Sequence, residues 1–174
     1  MRRSRQSSTT VEDPGRRSER KETMTTIGAV CSRDVVFTTR DATVAATAAL
    51  MRQNHVGCVV VVEQLNGGKR LPVGMVTDRD IVIEVIAPGL DVETITAGDI
   101  MSTELVTVAE SEGLLETMEI MRYKGVRRIP VVDSNGQLVG IASIDDLLEV
   151  LAEELSELAK IVARERVHEV QARR

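Results

Sequence analysis

Apolar residues fall in the same order twice along this chain, and a helical spacing alternates with extended runs each time. In the first half, Val44, Ala48 and Met51 keep a helical spacing and lead into a continuous β-branched run, CVVVV at 58–62. A Gly-containing turn at 66–68 follows, then a second extended run that ends at Thr77. In the second half, Leu114, Met118 and Met121 take the helical spacing, and RIPVV at 128–132 takes the first strand. The turn is at 134–136, and the second strand ends at Ser143. Steps of three and four place side chains on one helix face, whereas short β-branched runs bounded by turn residues read as buried strands. Asp41 and Ser111 stand where short polar side chains could cap the two helices. A short extended segment precedes each unit (35–38 and 105–108), and a second helix starts directly after Thr77 or Ser143. Each unit therefore reads strand, helix, strand, strand, helix.

The two units superimpose as sequence. A shift of 70 lays VCSRDVVF (30–37) on IMSTELVT (100–107), Met51-Arg52 on Met121-Arg122, Val56 on Val126, and 58–62 on 128–132. The loop after the first strand is four residues longer in the first copy, so the shift then becomes 66 and PVGMVTDRDIV (72–82) lies on LVGIASIDDLL (138–148). Two copies with one indel, placed in a turn, read as a duplication. One unit of about 50 residues closes only a marginal core. The expected fold is thus α/β (α+β), with two βαββα repeats packed face to face about a pseudo-two-fold axis and a long C-terminal helix. The boundaries are a tail at 1–23, a first repeat at 24–88, a connector at 89–99, a second repeat at 100–150 and a helical extension at 151–174.

Composition narrows the class. The 174 residues are 43% apolar but include only one Phe, one Tyr and no Trp, so the core must be aliphatic. The net charge is −5; residues 1–23 hold seven Lys/Arg against four Asp/Glu, net +3, which leaves −8 for the rest. An acidic body argues against nucleic acid as a partner, and the polar tail has too little to bury to be ordered. Cys31 and Cys58 make no C-x-x-C pair and read as buried free thiols of a reducing cytosol. Charged residues interrupt every candidate membrane span, and the basic N-terminus lacks a signal peptide's apolar stretch. A cytoplasmic protein without a membrane or nucleic-acid role is expected.

The candidate chemistry sits at the equivalent strand-to-helix junctions, Thr77-Asp78-Arg79-Asp80 and Ser143-Ile144-Asp145-Asp146, each three residues after a glycine (Gly74, Gly140). Two readings share this geometry. A Ser/Thr at the N-cap with a carboxylate three residues on is close to a capping box, which is a sufficient explanation for one copy. Equally, a helix N-terminus and a hydroxyl offer donors to phosphate, and an ionised Asp one turn later can accept from both hydroxyls of a ribose. Recurrence at matched places in both copies favours the ligand.

These stretches, GMVTDRDI and GIASIDDLL, together with the upstream DIMS and VRRIPVV, resemble the signature of cystathionine-β-synthase-type (CBS) domains over about residues 27–150. The resemblance implies a tandem pair with two clefts that hold AMP, ADP or ATP, or in some members NAD or S-adenosylmethionine. It implies that Asp80 and Asp146 bind ribose, that Thr77 and Ser143 lie on the phosphate side, and that Val36-Phe37 and Val106-Thr107 flank the adenine. Arg127-Arg128 matches a basic pair that holds phosphates in kinase-regulating relatives; a solvated strand entry explains it equally well. The first copy has Gly57-Cys58 there, Phe37 replaces the family's usual Thr, and Asp145 replaces Arg79. Unequal clefts are the expected result.

Other residues add little. His55 ends a helix opposite Gly125 of the second copy, where the dipole favours a histidine, and His168 lies near the end of the last helix. No metal site, catalytic triad or Gly-rich phosphate loop is legible. Leu148, Leu151, Leu155, Leu158 and Val162 form a seam of about two heptads, which implies a homodimer. The sequence reads as a non-enzymatic, adenine-nucleotide-binding regulator of an unidentified protein partner. A ligand-free scaffold that dimerises is the competing class.

Overall fold

The computed structural model describes residues 25–172 except Thr103; the tail expected over 1–23 lies outside the described residues. The first half contains α1 (Ile27–Val30), β1 (Phe37–Thr38), α2 (Val44–Asn54), β2 (Cys58–Leu65) and β3 (Lys69–Thr77). It ends in α3 (Asp78–Asp80), which widens into a π-helical segment, Ile81–Ile86. The second half repeats the order as α4 (Ala97–Ile100), β4 (Val108–Ala109), α5 (Leu114–Lys124), β5 (Arg128–Val132), β6 (Leu138–Ser143) and α6 (Ile144–Ala172). Two three-stranded sheets result, β1-β2-β3 and β4-β5-β6. In each, the short first strand pairs parallel to the middle one and the hairpin is antiparallel. Phe37 lies opposite Val60, and Val108 opposite Val131. The mixed α+β fold with two matched repeats and a C-terminal helix is the one read from the sequence.

The hairpin turns follow from residue chemistry. Gly67 and Gly68 (φ 83° and 77°) close the first in a conformation that costs a side chain energy. In the second, the Asp133 Oδ1 accepts the amides of Asn135 and Gln137, both at 2.8 Å. These bonds, the Gln137 amide first, hold the Asp133 carboxyl below its usual range.

Packing crosses the boundaries read along the chain. The first core joins Val59, Val61, Val76, Val44, Met51 and Val85 to Ala97 and Met101, which precede the second repeat's strands. The second core joins Ile129, Val131, Ala142, Met121 and Leu147 to Ile27 and Cys31, from the chain's beginning. Each repeat thus lends its leading segment to the other. The segment 89–99, expected to be a connector, ends in a helix that belongs to the first core. Backbone bonds fix the exchange: Ser32 and Ile141 exchange both amide bonds at 2.9 Å, and the Ser102 amide donates to Met75 at 2.9 Å. The glycines before each junction make room for it. A Cβ on Gly140 would stand 2.5 Å from the Cys31 Sγ, and one on Gly74 2.5 Å from the Met101 Sδ.

The helix caps also differ from expectation. The cap of α2 is Thr43, not Asp41: its hydroxyl accepts the Ala46 amide at 3.1 Å. The cap of α5 is Gly113 rather than Ser111, with no side-chain bond. Both caps lie two residues beyond Asp41 and Ser111, because the turn after each short strand uses the extra length. Thr47 and Thr117 are fully buried on the inward faces, where only apolar residues were expected. Thr117 satisfies its hydroxyl by donating to the Gly113 carbonyl at 2.8 Å.

Candidate functional site

Each strand-to-helix junction closes into a capping box. The Thr77 hydroxyl accepts the Asp80 amide at 3.2 Å, while Asp80 Oδ2 accepts the Thr77 amide at 2.8 Å and its hydroxyl at 2.7 Å. Ser143 and Asp146 repeat this with 3.2, 2.7 and 2.7 Å. Among the described residues every hydrogen bond to either carboxylate falls on Oδ2, so Oδ1 of each remains for another donor. Capping and ligand binding therefore do not compete for the same oxygen.

Both junctions open onto clefts between the repeats. The first cleft, about 540 Å³, takes Thr77, Asp78, Arg79 and Asp80 from one repeat; Ser102, Glu104, Leu105, Val106 and Gly125 to Arg128 face them from the other. The second, about 270 Å³, takes Ser143 and Asp146, faced by Ser32, Asp34, Val36, His55 and Val56. Gly57, Cys58 and Arg128 line both. Under the shifts of 70 and 66, every residue lining the second cleft has its counterpart lining the first. Ser32 matches Ser102, Asp34 matches Glu104, Val36 matches Val106, and Ile141 matches Met75. Two pseudo-symmetric clefts of unequal size are what the duplicated junctions build.

Of the residues singled out from the sequence, the first cleft gathers Thr77, Asp80, Val106, Arg127 and Arg128, and the second gathers Val36, Ser143, Asp146 and again Arg128. Phe37 and Thr107 fall outside both linings. Phe37 is in β1 with its ring beneath the Arg70 guanidinium, 4.4 Å from the centroid, and Thr107 is exposed. The pair at Ser32/Ser102, the acids Asp34/Glu104 and the apolar pair Val56/Val126 were not singled out. Their signal was the shift of 70 itself, followed through the segment that crosses between repeats.

The clefts differ in charge. The first is lined by Arg79, Arg127 and Arg128 against Asp78, Asp80 and Glu104; the second by Arg128 alone against Asp34 and Asp146. His55 lies on the rim of the second with φ 55°, a left-handed conformation, where its counterpart Gly125 has φ 67°. Burial pushes the Cys58 thiol up, and the nearby Arg128 draws it partly back. Among the described residues no group of three or more His, Cys, Asp or Glu is placed to hold a metal ion, and no helix is long and apolar enough to cross a membrane.

Away from the clefts, Leu114, Leu115, Met118, Leu147, Val150 and Leu151 line an apolar groove of about 240 Å³ between α5 and α6. Beyond it Leu155, Leu158, Ile161 and Val162 are exposed along the same helix.

Comparison with known proteins gives a family match to the CBS domain twice, at residues 27–87 and 97–153. Each match begins at the segment lent to the other repeat. An uncharacterized protein of Methanopyrus kandleri is 39% identical over 124 residues, 71% of this chain and 61% of that protein, so the chain spans about three fifths of that relative's length. A CBS domain-containing protein of Bacillus subtilis is 38% identical over 127 residues, 73% of this chain and 81% of the relative. Among solved structures, a putative signal-transduction protein with CBS domains from Burkholderia ambifaria superimposes with a TM-score of 0.59 at 27% identity, covering 69% of this chain and 84% of that one.

Proposed function

The chain belongs to the CBS domain family, and we propose that it is a non-enzymatic regulatory module whose clefts bind adenine nucleotides. The observation that supports this most is the doubled junction: Thr77/Asp80 and Ser143/Asp146 each leave one carboxylate oxygen unengaged at the mouth of a cleft. An ionised carboxylate can accept from ribose hydroxyls there while it caps the helix. Val106 or Val36 supplies an apolar wall for a base, and Arg79, Arg127 and Arg128 suit phosphates in the first cleft. AMP, ADP or ATP fits that charge pattern; NAD and S-adenosylmethionine are the other adenine compounds to test. Occupancy would bias how the two repeats sit against each other, since each core is completed by a segment of the other, and a protein partner would read the change.

A homodimer belongs to the same proposal. Leu151, Leu155, Leu158 and Val162 repeat at steps of three and four and are exposed, an apolar stripe of the kind that packs against a second helix. The same stripe supports the competing scaffold reading, in which the clefts stay empty. Melting curves recorded with AMP, ATP, NAD and S-adenosylmethionine separate the two. An adenine compound that binds the native state raises the melting temperature, and a flat series at millimolar concentration leaves the scaffold.

A further inference from the structure

Arg128 stands at the start of β5, on the seam where the two clefts meet, and lines both of them. Its counterpart in the first repeat is Cys58, a buried thiol without charge. Had the duplication kept an arginine in both places, each cleft would own one cation at the seam; here one serves two. Arg128 is exposed, enters no ion pair among the described residues, and ends a long side chain that can reach to either side. The consequences for the clefts are unequal. Without Arg128 the first keeps Arg79 and Arg127, whereas the second keeps only Asp34, Asp146 and the His55 imidazole.

We propose that Arg128 is a cation shared by the two clefts, so that phosphate in one weakens phosphate binding in the other. With the first cleft filled by a nucleotide, the second takes a nucleoside that carries no phosphate. The proposal rests on the adenine-nucleotide reading above and adds to it a coupling and a ligand class. Charge is the reason: one guanidinium cannot neutralise a phosphate on each side, and the second phosphate faces two carboxylates. An uncharged adenosine needs only the ribose acceptor Asp146 and the apolar wall at Val36, neither of which the first ligand uses. The linkage must be reciprocal.

The test is titration calorimetry with AMP and with adenosine. Asp80→Asn weakens the first cleft, so AMP kept below that cleft's raised dissociation constant reads the affinity of the second by itself; the second binding step of the unaltered protein gives it with the first cleft filled. AMP is expected to bind the second cleft about 5- to 150-fold more tightly in Asp80→Asn than in that second step, the usual range for coupled sites. Adenosine, added to protein whose first cleft is saturated with AMP, is expected to bind as it does to Asp80→Asn. In Arg128→Gln, at an exposed position, the AMP coupling is expected to vanish, as measured against the Asp80→Asn/Arg128→Gln pair. Equal AMP affinities with the first cleft filled or empty overturn the shared cation and leave the nucleotide reading standing. So does coupling that persists undiminished in Arg128→Gln, or that is as large for adenosine as for AMP. No binding of either compound overturns both.

Discussion

Asparagine at Asp80 or Asp146 tests whether the carboxylates do more than cap. In the folded protein Oδ2 of Asp146 accepts the Ser143 amide and hydroxyl, both at 2.7 Å. An asparagine must place its one oxygen there, because both partners are donors, and its NH2 group then takes the position of Oδ1. The cap survives in neutral form. Its two charge-assisted bonds become ordinary ones and the favourable charge at the helix start is lost, which together cost about 1–2 kcal/mol of stability. On the cleft side the loss is of another kind. The oxygen that could accept from the ribose hydroxyls becomes an NH2 group that only donates, so the charged acceptor, worth about 1.5–3 kcal/mol, disappears and affinity in that cleft should fall about 10- to 150-fold. Urea denaturation reads the first effect and titration calorimetry with AMP the second, on Asp80→Asn and Asp146→Asn singly. The expected result is both losses, with the binding loss confined to one cleft per variant. Loss of stability with AMP affinity unchanged in both variants would refute the ligand role and leave only capping.

Two further outcomes follow from the packing. Gly140→Ala puts a methyl group against the Cys31 Sγ and the Ser32 carbonyl, where the added Cβ would stand 2.5 and 3.0 Å away; overpacking of this kind should cost about 1–3 kcal/mol in urea denaturation, and unchanged stability would mean that the lent segment is not docked there. Leu155→Asp together with Leu158→Asp places two charges on the exposed stripe of α6, and sedimentation at micromolar concentration should show a folded monomer; an unchanged sedimentation coefficient would remove that stripe from the self-association surface.

Much of the fold was legible because duplication doubles every local signal. The β-branched runs, the turns and the junctions each appear twice, so an ambiguous stretch in one copy is read from the other. The lent segments were not legible. Ile27, Cys31, Ala97 and Met101 are too few and too widely spaced to show a period, and nothing local says which core they enter. The caps failed for a related reason: Asp41, Thr43, Ser111 and Gly113 all stand before apolar helices, and only the length of the preceding turn decides among them. At the site, Thr77, Asp80, Ser143 and Asp146 were legible because local hydrogen bonding fixes them. Phe37 was placed at the clefts by family resemblance, but the structure packs its ring beneath Arg70 instead. That Arg128 lines both clefts depends on how two distant strand entries meet, which the sequence does not encode locally.

The central claim is that an adenine nucleotide binds this protein in its native state. The melting temperature with AMP tests it most directly. At a concentration a hundred times its dissociation constant, such a ligand adds about 2.7 kcal/mol. For a chain of this size that corresponds to a rise of about 5–11 °C. A dose-dependent rise of this order, reduced in Asp80→Asn or Asp146→Asn, is the expected result. A melting temperature that stays fixed up to millimolar AMP, ATP, NAD and S-adenosylmethionine would contradict the claim.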